Sequence, residues 1–249
     1  MPRGGPDWGV ITGPAPTGGD IAIAELAVRT GALPSIDRLG QVVFVNGFEG
    51  NLAPFETGLG GTGAAAALSA ARARNGSNSL LLTGGSDGDR RADFTRRMPL
   101  AVVSRLGVEL SFILPGTIDY WYLQLIHFDG ANANTYAVAW DDANDRLMRL
   151  SSDSTFPLPL TSFTSFATGI NLFAAASMWH DAKLVLDLIT GRYVRFRLNN
   201  VTYDLSAFSA VVAVNAALPR LEWFFLLRSR STFNDQIYVD DFILTQNEP

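Results

Sequence analysis

Aromatic side chains that could stack on a sugar ring stand at two places in this sequence. Three are consecutive, Tyr120, Trp121 and Tyr122, and the fourth is Trp140. Such rings offer a flat apolar face to a pyranose and a polar atom at one end. Alternation along a strand turns either the two tyrosines or Trp121 and Leu123 toward the core. Half of this group therefore belongs to the core, and the sequence leaves open which half could bind a glycan.

Carboxylates and histidines are poorly placed for catalysis. Hydrolysis of a glycosidic bond uses two carboxyl groups that flank the scissile bond. Glu109 and Glu222 each stand in a strand-like segment, but the positions two and five residues later hold no acid. The only histidines are His127 and His180, and their spacing indicates no catalytic group with serine and aspartate. The sequence predicts a protein that is not an enzyme.

Three short strands joined by two tight turns are predicted between Met178 and Leu205. Every second residue from Leu184 to Leu188 is leucine, which is the period of two expected of a strand with one buried face. Thr190-Gly191 and Asn199-Asn200 then supply residues that tolerate turn conformations. The Asn199-Asn200 pair tolerates the left-handed conformations of a two-residue hairpin turn. These patterns predict a β-meander.

The amino-acid sequence of this meander resembles the laminin-G/pentraxin-like branch of the concanavalin A-like sandwiches. In that branch Trp-His opens a strand, Asp precedes a turn with Gly, and Asn-Gly closes the next hairpin. Trp179-His180, Asp187, Gly191 and Asn199-Asn200 take these places, with Asn200 in the position of the usual Gly. The resemblance implies a jelly-roll sandwich in which Trp179 fills the core. Hydrolases of this fold carry a Glu-x-Asp-x-x-Glu signature, which is absent from this sequence.

Two separated segments resemble a calcium site of carbohydrate-binding jelly rolls. The first predicted strand ends in Phe48-Glu49, and the last one contains Asp240-Asp241 followed by Phe242. In those families such segments lie side by side and often hold a structural calcium ion, which takes about six to eight oxygen ligands. The resemblance implies a calcium site with Glu49, Asp240 and Asp241 as ligands. Exposure of these acids, or pairing with arginine, is the alternative.

Strand-like segments fill the chain from Gln41 to its end, separated by turn residues. The further segments are 42–48, 79–83, 108–114, 120–128, 136–140, 146–150, 221–229 and 237–245. This density of short strands predicts an all-β fold, an antiparallel jelly-roll β-sandwich over residues 41–249. The stretch from Gly63 to Arg74 is rich in alanine, and it could be a helix or a strand.

Residues 1–40 are predicted to form an N-terminal arm. Glycine and proline recur through residues 1–19, a composition that cannot bury a core. One short helix is expected from Ile21 to Thr30, with Asp20 as its N-cap and Gly31 at its end. A helix of this length needs a docking surface, and its apolar residues for docking are Ile21, Ala24, Leu26 and Val28. We expect the arm to anchor the protein to other copies or to a larger particle.

Composition excludes several classes of partner and site. A net charge of −5 and a pI near 5.0 argue against nucleic-acid binding, which needs a clustered positive field. The sequence has no run of about 18 apolar residues, so no membrane partner is expected. Cysteine is absent, which excludes disulfides and thiolate zinc ligands. The start of the chain lacks the apolar core of a secretory signal, so we expect synthesis in a cytoplasm without export by that route.

Two functions from different classes fit these patterns. The leading hypothesis is a non-enzymatic structural assembly protein of a bacteriophage virion, such as a capsid decoration, head-fibre or tail-surface protein, made in the host cytoplasm and held by its arm. It accounts for the arm, the missing signal, and a charged fraction of 17% against about 25% in average proteins. The alternative is a lectin-like carbohydrate-binding module for adhesion, which accounts for the resemblance. Structural calcium is the one cofactor that either hypothesis includes.

Overall fold

Two antiparallel β-sheets make up the protein in a computed structural model, which describes residues 39–99, 103–152, 156–172 and 178–249. Each sheet has eight strands, so the predicted all-β antiparallel sandwich is confirmed. The predicted arm and helix, with Ile21, Ala24, Leu26 and Val28, lie outside the described residues. In the part of the chain that is described, helix is confined to two short 3-10 turns, Asp142–Asn144 and Leu160–Ser162.

The first sheet, called sheet A, has the strand order β13-β12-β11-β6-β16-β4-β3, and β1 also pairs with β16. Its strands are β1 (Gln41–Asn46), β3 (Ala65–Ser69), β4 (Ser79–Thr83), β6 (Arg105–Ile113), β11 (His180–Asp187), β12 (Arg192–Leu198), β13 (Val201–Asp204) and β16 (Gln236–Gln246). The alanine-rich stretch is thus a strand, β3, at one edge of the sheet.

The second sheet, called sheet B, has the order β10-β9-β8-β7-β15-β5-β2, and β14 pairs with β8. Its strands are β2 (Glu56–Gly60), β5 (Arg91–Met98), β7 (Tyr120–Phe128), β8 (Asn132–Asp141), β9 (Arg146–Leu150), β10 (Phe163–Thr168), β14 (Val211–Val214) and β15 (Arg220–Arg228).

The main core lies between the two sheets and is built from large aromatic side chains. Trp121, Phe225 and Phe112 pack in its centre, with ring centroids 5.7 Å apart for the first pair and 5.1 Å for Trp121 and Phe112. Trp140 and Trp223 are buried in the same cluster. Aromatic groups of this size bury about 150–250 Å² each, so these five side chains account for much of the hydrophobic stabilisation.

The predicted meander is present as β11, β12 and β13. Asn199 has a φ of 53°, so of the two asparagines Asn199 takes the left-handed position and Asn200 does not. The side chain of Asn199 accepts a hydrogen bond from Asp181 N (3.0 Å) and lies 3.1 Å from His180 Nδ1. These bonds fix the turn to the start of β11.

Trp179 is only partly buried and is not a member of the core, so the expectation that it fills the core is wrong. The physical reason is its position one residue before β11 begins, outside the strand ladder. His180 is the buried residue of this pair, and its Nε2 lies 2.9 Å from the carbonyl oxygen of Leu172. Burial lowers the pKa of His180, which favours the neutral form of the ring. The ring connects Leu172 to the turn at Asn199.

The outer face of sheet A contains a buried ion pair. Lys183 is the only lysine of the sequence, and its side chain is 1% exposed. Its Nζ lies 2.8 Å from Glu248 Oε1 and 3.9 Å from Glu109 Oε2. Glu248 also pairs with Arg195 at 3.1 Å. Each charge is therefore compensated, as buried charges must be.

Candidate functional site

The outer face of sheet B, turned away from the main core, carries a second and smaller hydrophobic cluster. Tyr120 and Tyr122 of β7 belong to it, because alternate residues of a strand point to opposite faces. The segment 156–160 covers this cluster. Tyr120 Oη donates a hydrogen bond to the carbonyl oxygen of Leu158 (3.1 Å), and Leu158 N donates to Tyr122 Oη (3.4 Å).

A buried carboxyl group lies on the same face. Asp93 of β5 has a side chain that is 3% exposed, and its Oδ2 lies 3.4 Å from Arg91 Nε without hydrogen-bond geometry. Burial raises the pKa of Asp93 to about 6, against the opposing effect of Arg91. Gly58 on the neighbouring strand β2 leaves room for this carboxyl group, because a Cβ there would lie 2.4 Å from Asp93 Oδ2.

Gln124 of β7 is the second polar group of this face. Its side chain is fully buried, and neither its amide oxygen nor its amide nitrogen has a hydrogen-bond partner within the described part of the chain. A buried polar group without a partner costs about 1–3 kcal/mol of stability. β15 lies between β5 and β7, and Asp93 is two residues out of register with Gln124. At a strand spacing of about 4.8 Å and a rise of about 3.4 Å per residue, their backbones are about 12 Å apart. A free donor and a free acceptor on one side chain suit a ligand that offers both.

Aromatic and cationic groups border these two polar side chains. Phe224 of β15 stands between Thr95 and Gln124 in the strand register, and its ring centroid is 5.1 Å from that of Phe156. The Arg91 guanidinium lies 4.9 Å from the Phe156 ring centroid. We call Arg91, Asp93, Gln124, Phe156 and Phe224 the sheet B patch.

The predicted glycan-stacking residues do not form an exposed platform. Trp121 and Trp140 are fully buried in the main core, so their assignment as stacking residues is wrong. Their strands turn these positions inward, and Trp140 Nε1 donates to the carbonyl oxygen of Ile170 (2.8 Å). Tyr120 and Tyr122 do point away from the core, but segment 156–160 buries both of them. Neither ring is open to solvent.

The three predicted calcium ligands gather around residues 74–78. Glu49 accepts hydrogen bonds from Ser77 N (2.9 Å) and from Asn78 N (3.1 Å). Asp240 Oδ2 accepts from Arg74 N (2.9 Å), and Asp240 Oδ1 accepts from Asp241 N (2.8 Å). Three of these four hydrogen bonds join segments that are distant in sequence, so the carboxylates of Glu49 and Asp240 hold the loop 74–78 in place.

Arg74 supplies positive charge near these carboxylates. Arg74 Nε lies 3.9 Å from Asp241 Oδ2, and Arg74 Nη1 pairs with Asp181 and Ser111. Over the described ranges, no group of three or more His, Cys, Asp or Glu side chains could hold a metal ion. The arrangement therefore does not fit a calcium ion bound by Glu49, Asp240 and Asp241, and it matches the arginine alternative.

The other side chains that could act as a catalytic acid or base form structural contacts instead. Glu222 Oε1 accepts hydrogen bonds from Arg97 Nε (3.0 Å) and Arg220 Nε (2.7 Å), and Glu109 faces Lys183. His127 is buried, and burial lowers its pKa. Both glutamates lie in ion pairs with basic side chains, so neither is arranged as a catalytic acid.

Asp93 and Gln124 were not predicted as site residues, although one signal for Gln124 is present in the sequence. β7 reads Tyr-Trp-Tyr-Leu-Gln-Leu-Ile-His-Phe, and Gln124 is the polar residue at its centre. A central strand with two apolar faces gives no reason for an amide at that position. Asp93 has no comparable signal, because aspartates and arginines alternate along the whole segment 87–97.

No protein-family model matches the chain, and no curated protein matches its sequence. Solved structures match it in fold. An endo-β-1,4-glucuronan lyase from the fungus Trichoderma reesei has a TM-score of 0.53 and 10% identity, over 83% of this chain and 96% of the lyase. A Bacillus subtilis protein with a galectin-like fold has a TM-score of 0.51 and 12% identity, over 84% and 97%.

The carbohydrate recognition domain of Emp46p, in a metal-free form, has a TM-score of 0.50 and 8% identity, over 86% of this chain and 96% of that domain. At these identities the comparison establishes the fold and nothing about the ligand. The chain is similar to galectin-like and concanavalin A-like jelly-roll domains.

Proposed function

We propose that the protein is a non-catalytic carbohydrate-binding module and that its ligand contacts the sheet B patch. The observation that carries this proposal is the fully buried Gln124 amide, which has no partner in the described part of the chain. Two of the similar structures, a carbohydrate recognition domain and a glucuronan lyase, belong to glycan-directed proteins. These observations favour the lectin-like alternative over the virion assembly hypothesis.

The chemistry of the patch suits a sugar. A sugar hydroxyl both donates and accepts, and the Gln124 amide offers one acceptor and one donor group to it. Asp93 adds an acceptor in its charged form, and Arg91 adds donors. The rings of Phe156 and Phe224 can pack against the apolar face of a pyranose. The groups that cover Gln124 must move for a ligand to reach it, because the amide is fully buried.

Binding without catalysis follows from the acids of the patch. Glycoside hydrolysis uses two carboxyl groups, and the sheet B patch has one, Asp93. Glu222 lies on the same strand as Phe224, but it is paired with Arg97 and Arg220. We therefore expect a glycan to be retained without being cleaved.

Replacement of Gln124 by leucine tests the proposal. Gln124→Leu fills the same volume without polar atoms, so the melting temperature should rise or stay unchanged, because an unsatisfied buried amide is removed. Binding to neutral and uronate polysaccharides, measured by calorimetry, should weaken by about tenfold for each lost hydrogen bond of about 1.4 kcal/mol. Gln236→Leu on sheet A is the matched control and should leave binding unchanged.

Two outcomes would contradict this proposal. If the wild-type protein retains none of the polysaccharides, or if Gln124→Leu binds as tightly as wild type, the patch is not a glycan site. Release of unsaturated uronate from glucuronan, followed by ultraviolet absorbance, would show that the site is catalytic and would overturn the non-enzymatic part of the proposal.

The virion role stays a prediction, which we keep as a second proposal for residues 1–40. Its support is the glycine- and proline-rich composition of residues 1–19, which cannot form a core. Attachment by the arm and adhesion by the sandwich are compatible in one surface protein of a phage particle made in a host cytoplasm.

A further inference from the structure

Strand β14 forms an open edge of sheet B. Within the described residues it pairs with β8 alone, from Val211 opposite Thr135 to Val214 opposite Asn132. A strand that is paired on one side leaves alternate N–H and C=O groups unpaired on the other. Such a row is a template for a further strand.

The side chains around this edge are apolar and exposed. Val212 is 58% exposed, Val214 is 93% exposed and Leu218 is 81% exposed. The segment 209–219 contains no charged residue. Edge strands of monomeric proteins usually carry charges, proline or bulges that prevent pairing with other chains, and β14 has none of these protections.

The other edges that the structure describes are protected or small. The pairing of β10 with β9 is irregular between Ser165 and Ala167. β13 ends in Asp204, and β2 begins with Glu56. β3 presents alanines and exposes no large apolar side chain. β1 pairs with β16 alone and has an irregular register between Val42 and Phe44. Among the edges that the structure describes, β14 is the one that combines exposed large apolar side chains with a lack of these protections.

We propose that β14 pairs antiparallel with β14 of a second copy of this chain, across a two-fold axis at Ala213. Facing residues of an antiparallel pair lie on the same side of the sheet, so the sequence numbers of facing residues must have the same parity. Pairing about Ala213 meets this condition and places Val212 opposite Val214 of the second copy. The two exposed valines then cover each other.

A second copy is the occupant that these residues favour. An uncharged segment can face itself without repulsion between like charges, and β-branched pairs across strands stabilise a sheet. A two-fold axis also makes the contact closed, so the association stops at a dimer. The dimer joins two copies of sheet B into one continuous sheet of sixteen strands, twice the eight of one copy.

A cysteine placed on the axis tests this register. The sequence has no cysteine, so Ala213→Cys introduces a single thiol. Facing residues have Cα atoms about 4.5–5.5 Å apart, which is within the range for a disulfide. We expect mild oxidation to convert most of the Ala213→Cys protein to a covalent dimer on a non-reducing gel. Ala207→Cys, at an exposed position outside β14, is the control and should remain largely monomeric on the gel.

A charge on the edge tests the dimer itself. Val214→Lys changes a side chain that is 93% exposed, so the folded chain should be unaffected in circular dichroism. Light scattering should show a dimer for wild type and a monomer for Val214→Lys. A monomeric wild-type protein at high concentration, a dimer that survives Val214→Lys, or equal cross-linking of Ala213→Cys and Ala207→Cys would each overturn the proposal. These results do not depend on whether the sheet B patch binds a glycan.

Discussion

Asp241 has a φ of 53° at the point where β16 departs from regular pairing, between Asp240 and Ile243. Its Oδ1 has no hydrogen-bond partner among the described residues. Burial raises the pKa of Asp241 to about 7, with a further contribution from the adjacent Asp240 charge and an opposing one from Arg74. The folded protein therefore favours a protonated Asp241 up to near neutral pH.

We predict that the contribution of Asp241 to stability falls as the pH rises from about 4 to about 7. In this window the folded protein holds a proton on Asp241 that the unfolded chain, with an ordinary Asp pKa of 3.8, has released. The raised pKa of Asp93, about 6, acts in the same direction, whereas burial lowers the pKa of His127 and of His180 and acts in the opposite direction. The difference in the pH slope of urea unfolding between wild type and Asp241→Asn isolates the Asp241 contribution, and equal slopes would contradict the prediction.

Replacement of Asp241 by asparagine should remove much of this slope. Asparagine has the same shape and tolerates a left-handed backbone, and it carries no charge to bury. At about pH 8 we expect Asp241→Asn to raise the free energy of unfolding by about 1–3 kcal/mol. Asp204→Asn is the control, because its carboxylate is exposed and accepts a bond from Ser206 N (2.9 Å). That variant should gain no stability.

At this scale the sequence predicted residue types better than their surroundings. It predicted that either the two tyrosines or Trp121 of the segment 120–122 would face the core, but it could not predict which set. β7 is buried on both faces, so its residues show no contrast between apolar and polar positions from which to read orientation. Glu49, Asp240 and Asp241 were expected to lie together, whereas the loop that brings Arg74 to them has no sequence pattern.

Among the elements, the turn between β12 and β13 contains two adjacent asparagines, Asn199 and Asn200, that have different structural roles. Asn199 has the positive φ and two side-chain contacts, to Asp181 N and His180 Nδ1. Asn200 is exposed. The sequence alone predicts both residues equally well as turn formers.

We predict that Asn199→Ala destabilises the protein by about 1–3 kcal/mol, because it loses these contacts and places a Cβ without compensation in the left-handed region. Asn200→Ala is the matched variant and should change the free energy of unfolding by less than about 0.5 kcal/mol. Chemical denaturation of the two proteins compares them directly. A larger loss for Asn200→Ala would reverse the assignment.

Three strands, Ser79–Thr83, Tyr120–Phe128 and Arg146–Leu150, have the bounds that the sequence predicted. Ser79–Thr83 and Tyr120–Phe128 are largely apolar runs with turn residues beside them, which is a strong local signal for a strand. Arg146–Leu150 is marked by the turn 141–145 that precedes it. The alanine-rich stretch gave no such answer, because alanine favours helix intrinsically. Pairing of Ala65–Ser69 with β4 decides that conformation, and the partner strand is not visible in the local sequence.

For the molecule as a whole, the role of the arm can be separated from the sandwich by truncation. A chain that begins at Gln41 keeps the sixteen strands that the structure describes, and it loses the 3.4 Å contact between Lys183 Nζ and the carbonyl oxygen of Leu39. We predict that it stays folded and still dimerises through β14, but loses attachment to a particle and any assembly larger than a dimer. Light scattering and particle binding test this. Unchanged assembly and unchanged particle occupancy would contradict it.

The buried Lys183 also makes the sandwich unusual toward covalent reagents. Acylating reagents attack free amines, and the only lysine amine of the chain is 1% exposed and lies 2.8 Å from Glu248 Oε1. Acylation of Lys183 therefore requires that sheet A opens first, so its rate, followed by mass spectrometry, reports the population of the opened state. Because thiols are also absent, one introduced cysteine carries a label at a single defined position. The native chain contains its own probe of unfolding, and an engineered chain accepts a second probe without interference.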